Sequence, residues 1–364
     1  MHLGRLWLTD FRCYEQVALE LDPGATVITG RNGHGKTSLL EAVAWAATGR
    51  SMRGVPDKAL VRSGTDTAII RAEVVHPDRV ALIEVAIQTV GRNRIMVNKQ
   101  TVSRRRDLAE HLRVTVFAPD DLTLVKGGPA GRRDMVDELL VASTPRFSAI
   151  ITDYERVVKQ RNALLRAGIR DADDRRTRDV LDARLVDTGS TLVGGRLDMI
   201  ARLSPEIERA YSSLAGAAPG FVTRYEPEWH DGELARDDIP TALTDALARL
   251  RKREEDRGVT LVGPHRDDWA LTLDGLDARH HASQGEQRTL ALGLRLAGHR
   301  VVAETTGTEP VLLLDDVFSE LDEQRSTALV EHLPATQTLI TTAGALPEGI
   351  NPSTWIEIVD GAVV

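Results

Sequence analysis

A glycine-rich segment with the spacing G-x-x-x-x-G-K-T runs from Gly30 to Thr37 and has the residue types that bind nucleotide phosphates. Its glycines allow backbone N–H groups to curl around phosphate oxygens. The Lys36 ammonium would reach the β- and γ-phosphates, and the Thr37 hydroxyl would bind Mg²⁺. An apolar strand is predicted before the segment, and a helix is predicted after it, from Lys36 to about Thr48. The residues predicted to bind ATP here are Gly30, Arg31, Asn32, Gly33, His34, Gly35, Lys36, Thr37 and Ser38.

A second set of chemically capable residues follows the apolar run Val311 to Leu314, where Asp315 and Asp316 stand side by side. Carboxylates at the C-terminal end of a buried strand face the crevice where α/β sheets bind ligands. Such a pair is by itself more often a cap for the next turn. Together with a phosphate loop, it predicts that Asp315 holds Mg²⁺ and that Asp316 polarises the attacking water as the catalytic residue.

The stretch "SQGEQRTLALGLRLAGHR", residues 283–300, is a third candidate. It is predicted to begin a long amphipathic helix, and the N–H groups of a helix start attract anions. An ordinary helix start, capped by Ser283 with Glu286 in the first turn, explains the same letters. The pattern alone leaves both interpretations open.

Bulk composition narrows the classes of protein. The chain has 364 residues and a formal net charge of −8, which argues against indiscriminate coating of nucleic acid. Its single cysteine, Cys13, excludes an internal disulfide framework and a cysteine-based zinc site. No apolar run has signal-peptide or membrane-span length, so a soluble, cytoplasmic protein is expected.

The elements needed to position these residues are an α/β domain interrupted by a helical insertion. Strand character is predicted in residues 3–30, 66–75, 80–90 and 93–102, and again in 258–265, 268–275, 310–316 and 337–343. Long helical stretches are predicted in 131–166, 175–216 and 241–256. The α/β domain would comprise residues 1–118 and 258–364, and the helical second lobe residues 119–257.

The chain resembles the ABC-type ATPase head, a group that includes the SMC and RecF proteins. The resemblance rests on four motifs that occur in this order: the phosphate loop, Ser-x-Gly-x-Gln, the strand that ends in Asp-Asp, and "SELD" at 319–322. Within this group the chain resembles the RecF family most, in the segments "LTDFRCY", "GRNGHGKTSLLEA", "FAPDDLTLVKGGPAGRR", "GPHRDD" and "LLLDDVFSELD". The resemblance implies a P-loop sheet with an antiparallel β subdomain. It also implies that Ser283, Gly285 and Gln287 bind the ATP held by a second subunit, so that an ATP-dependent homodimer forms with residues 319–322 at its interface.

For function, the resemblance implies an ATP-dependent recombination mediator that clamps duplex DNA near single-strand gaps. Family members act with RecR and RecO in DNA repair, replication-fork maintenance and the SOS response, and hydrolyse ATP slowly to reset the clamp. The chain departs from the wider group in having Asp316 where Glu is usual and Thr341-Thr342 where a switch His is usual, and it has no recognisable Q-loop glutamine. These departures indicate a weak DNA-dependent ATPase.

Basic clusters are candidates for DNA phosphate contacts, although each alone is more often a solvated surface. They are Arg104-Arg105-Arg106, Arg132-Arg133, Arg175-Arg176 with Arg178, and Arg251-Lys252-Arg253. Few aromatics accompany them, so base stacking on linear single strands is not expected.

Some further residues have open interpretations. Two interpretations of His265, Arg266 and Asp267 are open: they line the nucleotide interface, or they form a salt-bridged turn. For Arg12, the resemblance implies an approach to the nucleotide.

Two rival functions remain open on these residues. An ABC transport ATPase subunit would need a membrane partner, and the helical lobe has no obvious coupling sequence for one. A structural, SMC-like chromosome-organising head would bridge distant DNA segments and would not prefer gaps. Stimulation by DNA or by a membrane partner, and preference for gaps, would separate the three functions.

Overall fold

The computed structural model describes residues 1–216, 220–232 and 234–364, apart from the side chain of Arg106. The chain forms two compact units. The first unit comprises Met1–Asp121, Arg209–Ala217 and Arg288–Val364, and the second comprises Leu122–Glu208 and Ala218–Gln287. This division differs from the predicted boundaries in that residues 258–287 group with the helical unit and the end of its longest helix groups with the sheets.

The first unit contains an antiparallel sheet of six strands. The strands are β1 His2–Phe11, β2 Tyr14–Glu20, β4 Thr67–Val75, β5 Val80–Gln88, β6 Arg94–Val97 and β7 Gln100–Thr101. Their order in the sheet is β2-β1-β4-β5-β6-β7. Buried apolar residues alternate with more exposed residues along the longer strands, as expected for a sheet with one face in the core.

The second sheet of this unit is parallel except at its last strand, β15. The strands are β3 Ala25–Thr29, β8 Val114–Phe117, β12 Val311–Asp315, β13 Thr338–Thr342, β14 Thr354–Val359 and β15 Ala362–Val363. Their order is β15-β14-β3-β13-β12-β8. Every residue of β12 and β13 is buried, which explains the apolar run Val311 to Leu314 of β12, whereas β13 combines two apolar residues with three threonines.

Helix α1, Lys36–Thr48, is the element that joins the two sheets into one core. Its Leu39 and Trp45 belong to the same buried cluster as Leu6 of β1 and Leu313 of β12. A helix with apolar residues all round must be covered on all sides. The other face of the parallel sheet is covered by the ends of two longer helices, α5 Ala172–Ala215 and α8 Gln284–Thr306, and by helix α9, Glu323–His332.

The second unit is mostly helical, and it also holds a three-stranded antiparallel sheet. The strands β9 Phe221–Glu226, β10 Asp268–Leu273 and β11 Leu276–Asp277 form this sheet in the order β11-β10-β9. The remaining helices are α2 Leu122–Lys126, α3 Pro129–Ser143, α4 Phe147–Ala167, α6 Ile239–Arg257 and α7 Ala278–His281, together with the parts of α5 and α8 that do not continue into the first unit. Short 3₁₀ helices occupy Asp57–Leu60, Arg105–Glu110, Pro119–Asp121, Arg236–Asp238 and Val317–Glu320.

Two predictions about these elements are wrong. The helix predicted over 131–166 is interrupted between Ser143 and Phe147, because Pro145 removes a backbone donor and disfavours helical geometry in the residue before it. Residues 258–265 form no strand, and Gly263 in their midst has a positive φ of 121°. Strand β9 has no counterpart among the predicted strands. None of the helices described here is both long enough and apolar enough to cross a lipid bilayer.

Candidate nucleotide-binding site

The phosphate loop follows β3 directly and depends on glycine at defined points. Gly30, Gly33 and Gly35 all have positive φ values, of 144°, 86° and 112°. A Cβ atom on Gly30 would lie 2.3 Å from the carbonyl oxygen of Ile358, so no other residue fits there without displacing β14. At the start of α1 the Ser38 N–H donates to the carbonyl oxygen of Gly35 at 2.9 Å, whereas the N–H groups of Lys36 and Thr37 have no acceptor among the described residues and are free to bind an anion.

Neighbouring segments hold the outer side of this loop. The Tyr14 hydroxyl donates to the carbonyl oxygen of Gly35 at 3.0 Å, and the Gly361 N–H donates to that of His34 at 3.1 Å. The His34 ring lies 3.4 Å from the Asp360 carboxylate. Because these contacts fix the peptide groups of residues 34 and 35, the loop keeps its shape before any ligand binds. No local feature of the sequence indicates this support.

Lys36 is buried against the loop that it serves. Its ammonium donates to the carbonyl oxygens of Gly30 at 2.7 Å and Arg31 at 3.1 Å. Burial lowers the pKa of Lys36, and the nearby carboxylates of Asp316 and Asp315 partly offset that effect. The side chain is 7% exposed and stays within the loop, where it can exchange carbonyl oxygens for phosphate oxygens.

Asp315 meets Thr37, as expected for two ligands of one Mg²⁺ ion. The Thr37 hydroxyl donates to Oδ1 of Asp315 at 2.8 Å, and the Thr341 hydroxyl donates to the same oxygen at 2.7 Å. Burial raises the pKa of Asp315, while the two hydroxyl hydrogen bonds lower it in part.

A hydroxyl and a carboxylate are hard oxygen ligands that suit Mg²⁺. Among the described residues no group of three or more His, Cys, Asp or Glu side chains could hold a metal ion.

Asp316 has the left-handed backbone conformation, with φ 49°. Its N–H donates to both the carbonyl and the hydroxyl oxygen of Thr341, at 3.2 and 3.0 Å. Its Oδ1 atom is buried and has no hydrogen-bond partner among the described residues. Asp and Asn adopt this conformation more readily than Glu does, which gives a physical reason for Asp at this position. A buried carboxylate oxygen without a partner is costly unless it serves a ligand or a water molecule.

The two threonines that replace the switch histidine are both engaged by the protein. Thr341 orients Asp315, and the Thr342 hydroxyl donates to the carbonyl oxygen of Gly344 at 3.2 Å. A threonine hydroxyl neither gains nor loses a proton near neutral pH, so neither side chain can act as the acid or base that a histidine would be at this position.

The predicted signature residues lie in the second unit and begin α8 with a capping box. The Ser283 N–H donates to the Glu286 carboxylate at 2.7 Å, and the Glu286 N–H donates to the Ser283 hydroxyl at 3.3 Å. Gln287 is buried, and its amide nitrogen donates to the carbonyl oxygens of Ala278 and Arg279. Ser283 is exposed and Gly285 is half-buried. A binding role for Ser283, Gly285 and Gln287 in a partner subunit remains a prediction.

Arg12 is committed to a buried carboxylate. Its guanidinium makes a bidentate ion pair with Glu41, at 2.8 and 3.0 Å, and donates to the carbonyl oxygen of Ala59. Glu41 lies on α1 and is fully buried, so Arg12 ties the end of β1 to the helix that starts at the phosphate loop. The structure thus gives Arg12 a positioning role.

His265 and Asp267 form part of a buried polar network in the second unit. The Nδ1 atom of His265 lies 2.6 Å from the Tyr154 hydroxyl, and Asp267 accepts hydrogen bonds from Trp229, at 2.7 Å, and from Tyr225. Burial lowers the pKa of His265 to about 4 and raises that of Asp267 to about 7. Arg266 is exposed and pairs with Glu228 at 3.2 Å.

The parallel sheet, the phosphate loop between β3 and α1, and the paired aspartates after β12 define an ABC-type ATPase head. The family described as the RecF/RecN/SMC N terminal domain matches residues 2–344. The chain is 47% identical to the DNA replication and repair protein RecF of Frankia alni, over 94% of this chain and 93% of that protein. It is 44% identical to the protein of the same name from Streptomyces avermitilis, over 94% of each chain. The chain therefore belongs to the RecF family.

Solved structures agree with this assignment. The recombination mediator protein RecF-ATP in the RecFOR pathway matches with a TM-score of 0.92 and 27% identity, over 100% of this chain and 97% of that one. The RecF-ATPrS structure matches with a TM-score of 0.91 over the same shares. An Smc head bound to the C-winged helix domain of ScpA matches with a TM-score of 0.58 and 16% identity, over 100% of this chain and 96% of that one, which shows a shared head fold. The predicted fold class and family are confirmed.

Proposed function

We propose that this protein is an ATP-dependent DNA-binding recombination mediator, which dimerises on ATP and clamps duplex DNA near single-strand gaps. The observation that carries the proposal is the meeting of Lys36, Thr37, Asp315 and Asp316 in one site at the C-terminal ends of β3 and β12. The relatives' role in DNA replication and repair, and the two RecF structures named for ATP and ATPrS, support it.

In this proposal the chain's own residues divide the work of binding and slow hydrolysis. The loop from Gly30 to Ser38 surrounds the phosphates, and Lys36 binds them. Thr37 and Asp315 would hold Mg²⁺, which would neutralise phosphate charge. Asp316 orients a water molecule through its unpaired carboxylate oxygen. Its short side chain suits slow turnover, so ATP acts mainly as a switch.

The switch consists of subunit association. Ser283, Gly285 and Gln287 at the start of α8 would bind the ATP held by the second subunit, and residues 319–322 would lie at the same interface. Hydrolysis would release the pair from DNA. Expected partners are gapped duplex DNA and the proteins RecR and RecO, because RecF structures are described as belonging to the RecFOR pathway. The protein would act in the cytoplasm, in DNA repair, replication-fork maintenance and the SOS response.

Sedimentation velocity with and without ATP tests the proposal, with the wild-type protein, Lys36→Met and Ser283→Arg. A gapped duplex is then added in each state. We expect ATP to dimerise only the wild-type protein, and only the dimer to hold DNA tightly. Normal dimerisation and DNA binding by Ser283→Arg would show that residues 283–287 are merely a capped helix start. Failure of the wild-type protein to bind DNA with ATP would reject the DNA clamp itself.

A further inference from the structure

The structure separates the predicted basic clusters into those used inside the protein and those left for a ligand. Arg132 is 5% exposed and pairs with Asp268 at 2.8 Å, and Arg133 donates to the carbonyl oxygen of Asp267 at 2.7 Å. Arg105 pairs with Asp57 at 2.8 Å and lies over the Trp45 ring. The side chain of Arg106 is outside the described part of the chain. The Arg132-Arg133 cluster therefore retains little cationic surface, whereas Arg104 of the first cluster is exposed and has no side-chain partner among the described residues.

The two other clusters lie together in the second unit, where the ends of three helices meet. Arg178 at the start of α5 pairs with Glu255 near the end of α6, at 3.0 Å. Arg161 of α4 pairs with both Asp182 of α5 and Glu254 of α6, each at 2.7 Å. Arg161, Arg178 and Glu254 are buried, so these ion pairs fix the three helix ends to one another.

Around this buried network lies a set of cations that we name the basic tip. Each has an exposed side chain that makes no hydrogen bond or ion pair with any described residue. The members are Arg166 at the end of α4, Arg175 in the first turn of α5, and Arg251, Lys252, Arg253 and Arg257 on the last turns of α6. Arg166 passes over Gly258, the residue that follows α6, which places α4 and α6 side by side at the tip.

The acidic residues of the same region keep their charge but are mostly held by local hydrogen bonds and ion pairs, and the cations outnumber them, by ten to eight in residues 161–182 and 251–257. Asp171 accepts the N–H groups of Asp173 and Asp174, and Asp174 accepts that of Arg170, all at 2.9 Å. Asp173 and Asp179 pair with Arg176 and Arg178. The exposed Asp256 alone has no partner among the described residues of the tip.

Helix stability explains only part of this distribution. Cations in the last turns of α4 and α6 are favourable because the C-terminal end of a helix is partially negative. Arg175 stands in the first turn of α5, where the same effect makes a cation unfavourable. Unlike Arg176, which pairs with Asp173, the Arg175 side chain has no acidic partner among the described residues, and a bound external anion would offset its unfavourable position.

We propose that the basic tip is the surface of this protein that contacts the phosphate backbone of duplex DNA. This inference rests on the proposed DNA-binding function and adds the site. Cations on three rigidly joined helix ends suit the repeated phosphates of a duplex. Residues 166–180 and 251–258 contain no aromatic side chain, so contact through phosphates and not through base stacking follows.

Titration of a gapped duplex against the full-length protein, with saturating ATP and over a series of KCl concentrations, tests the proposal. In the tip variant, Arg175→Gln, Arg253→Gln and Arg257→Gln are combined. We expect DNA affinity to fall roughly tenfold or more, and the slope of log affinity against log salt to decrease by about 0.9 for each phosphate that the variant no longer neutralises. The affinity for ATP and the thermal unfolding midpoint should not change, because all three side chains are exposed.

A matched control removes the same charge elsewhere. Arg5→Gln and Arg71→Gln change exposed arginines that pair with acidic residues in the antiparallel sheet of the first unit, and Arg79→Gln changes one that pairs with Asp78 in the turn between β4 and β5. This control should bind DNA with the wild-type salt slope. A third variant, Asp173→Asn with Asp256→Asn, removes acidic charge from the tip and should bind DNA more tightly than the wild type, a gain that misfolding cannot imitate.

The possible results separate the two proposals. If wild-type protein binds the duplex and the tip variant keeps the affinity and slope of the control, the basic tip is not the DNA surface, although the clamp proposal stands. If the asparagine variant binds no more tightly than the wild type, the tip assignment is equally overturned. If the wild-type protein with ATP does not bind the duplex, both proposals fail.

Discussion

The hydroxyl of Thr37 donates a 2.8 Å hydrogen bond to the carboxylate of Asp315, across 278 residues of sequence. The parallel sheet makes this contact possible, since β13 lies between β3 and β12 and all three strands end at the same edge. Thr341, at the end of β13, completes the contact by donating to the same oxygen. One face of the site is thereby assembled from three strands before any ligand binds.

Lys36→Met should weaken ATP binding strongly. The substitution removes the only ammonium in the phosphate loop, and a hydrogen bond to a charged group contributes about 1.5–3 kcal/mol, so affinity should fall roughly tenfold to more than a hundredfold. Isothermal titration calorimetry with ATP and Mg²⁺ measures the change. Lys58→Met, at an exposed position, is the matched control and should bind ATP normally. Equal affinities in the two variants would contradict the assignment of Lys36.

Asp315→Asn should change the response to Mg²⁺ more than the binding of ATP itself. The amide keeps the shape of the side chain but loses the charge that attracts the cation. We expect the Mg²⁺ concentration that half-saturates ATP hydrolysis to rise roughly tenfold or more, while ATP binding measured in EDTA stays near the wild-type value. A similar Mg²⁺ requirement in variant and wild type would show that Asp315 is not a metal ligand.

Tyr14→Phe should loosen the phosphate loop without unfolding the protein. Tyr14 is fully buried and its ring would stay packed, but Gly35 would lose a hydrogen bond whose net contribution is about 0.5–1.5 kcal/mol. ATP affinity should therefore fall roughly two- to tenfold. Tyr154→Phe removes a buried hydroxyl from the second unit and should leave ATP affinity unchanged. The proposed support of the loop is wrong if both variants bind ATP like the wild type.

The parts of the site that can be predicted from sequence are those encoded by adjacent residues. The predicted helix over Lys36–Thr48 has the observed bounds of α1, and the continuous apolar run before Asp315 is the buried strand β12. In both cases periodicity and a flanking signal act within a few residues. The meeting of Asp315 and Thr37 follows from the chemistry of their motifs, and the sheet order supplies its physical cause.

The parts that cannot be predicted in this way depend on contacts between distant segments. Nothing near Tyr14 or Gly361 in the sequence indicates that they hold the carbonyl groups of the phosphate loop. The strand predicted at 258–265 is wrong for a related reason. Side chains of α4 and α6 bind its polar groups, as when the Thr260 N–H donates to Asn162 at 2.7 Å, so no strand partner is needed. Apolar periodicity cannot report such side-chain partners.

The stability of the second unit should depend on pH through two opposed groups. Asp267, with its pKa raised from 3.8 to about 7, binds a proton more readily in the folded state, so its contribution to stability falls as pH rises towards 7. His265, with its pKa lowered from 6.5 to about 4, contributes stability above pH 6.5 and loses it as pH falls towards 4. Between pH 4 and pH 6.5 each group changes the free energy of unfolding by about 1.4 kcal/mol per pH unit. The two changes have opposite signs and nearly cancel.

Urea unfolding of Asp267→Asn and His265→Gln between pH 4 and pH 6.5 separates these contributions. With the carboxylate removed, the free energy of unfolding should rise with pH. With the imidazole removed, it should fall with pH. The wild-type protein should lie between them. Parallel pH profiles for the two variants would contradict the assignment of the opposed pKa shifts to this pair.

Asp316→Asn should uncouple ATP binding from hydrolysis. Asn tolerates the left-handed backbone at residue 316 and preserves the N–H that donates to Thr341, so the fold of the site should remain. The uncharged amide cannot accept a proton from water, and loss of a general base typically costs about 10²–10⁴ in rate. Single-turnover hydrolysis should therefore nearly stop, while calorimetry shows wild-type ATP affinity. Since ATP would persist, the dimer of the variant on gapped DNA should last longer than that of the wild type. A wild-type hydrolysis rate in the variant would show that Asp316 is not the catalytic residue.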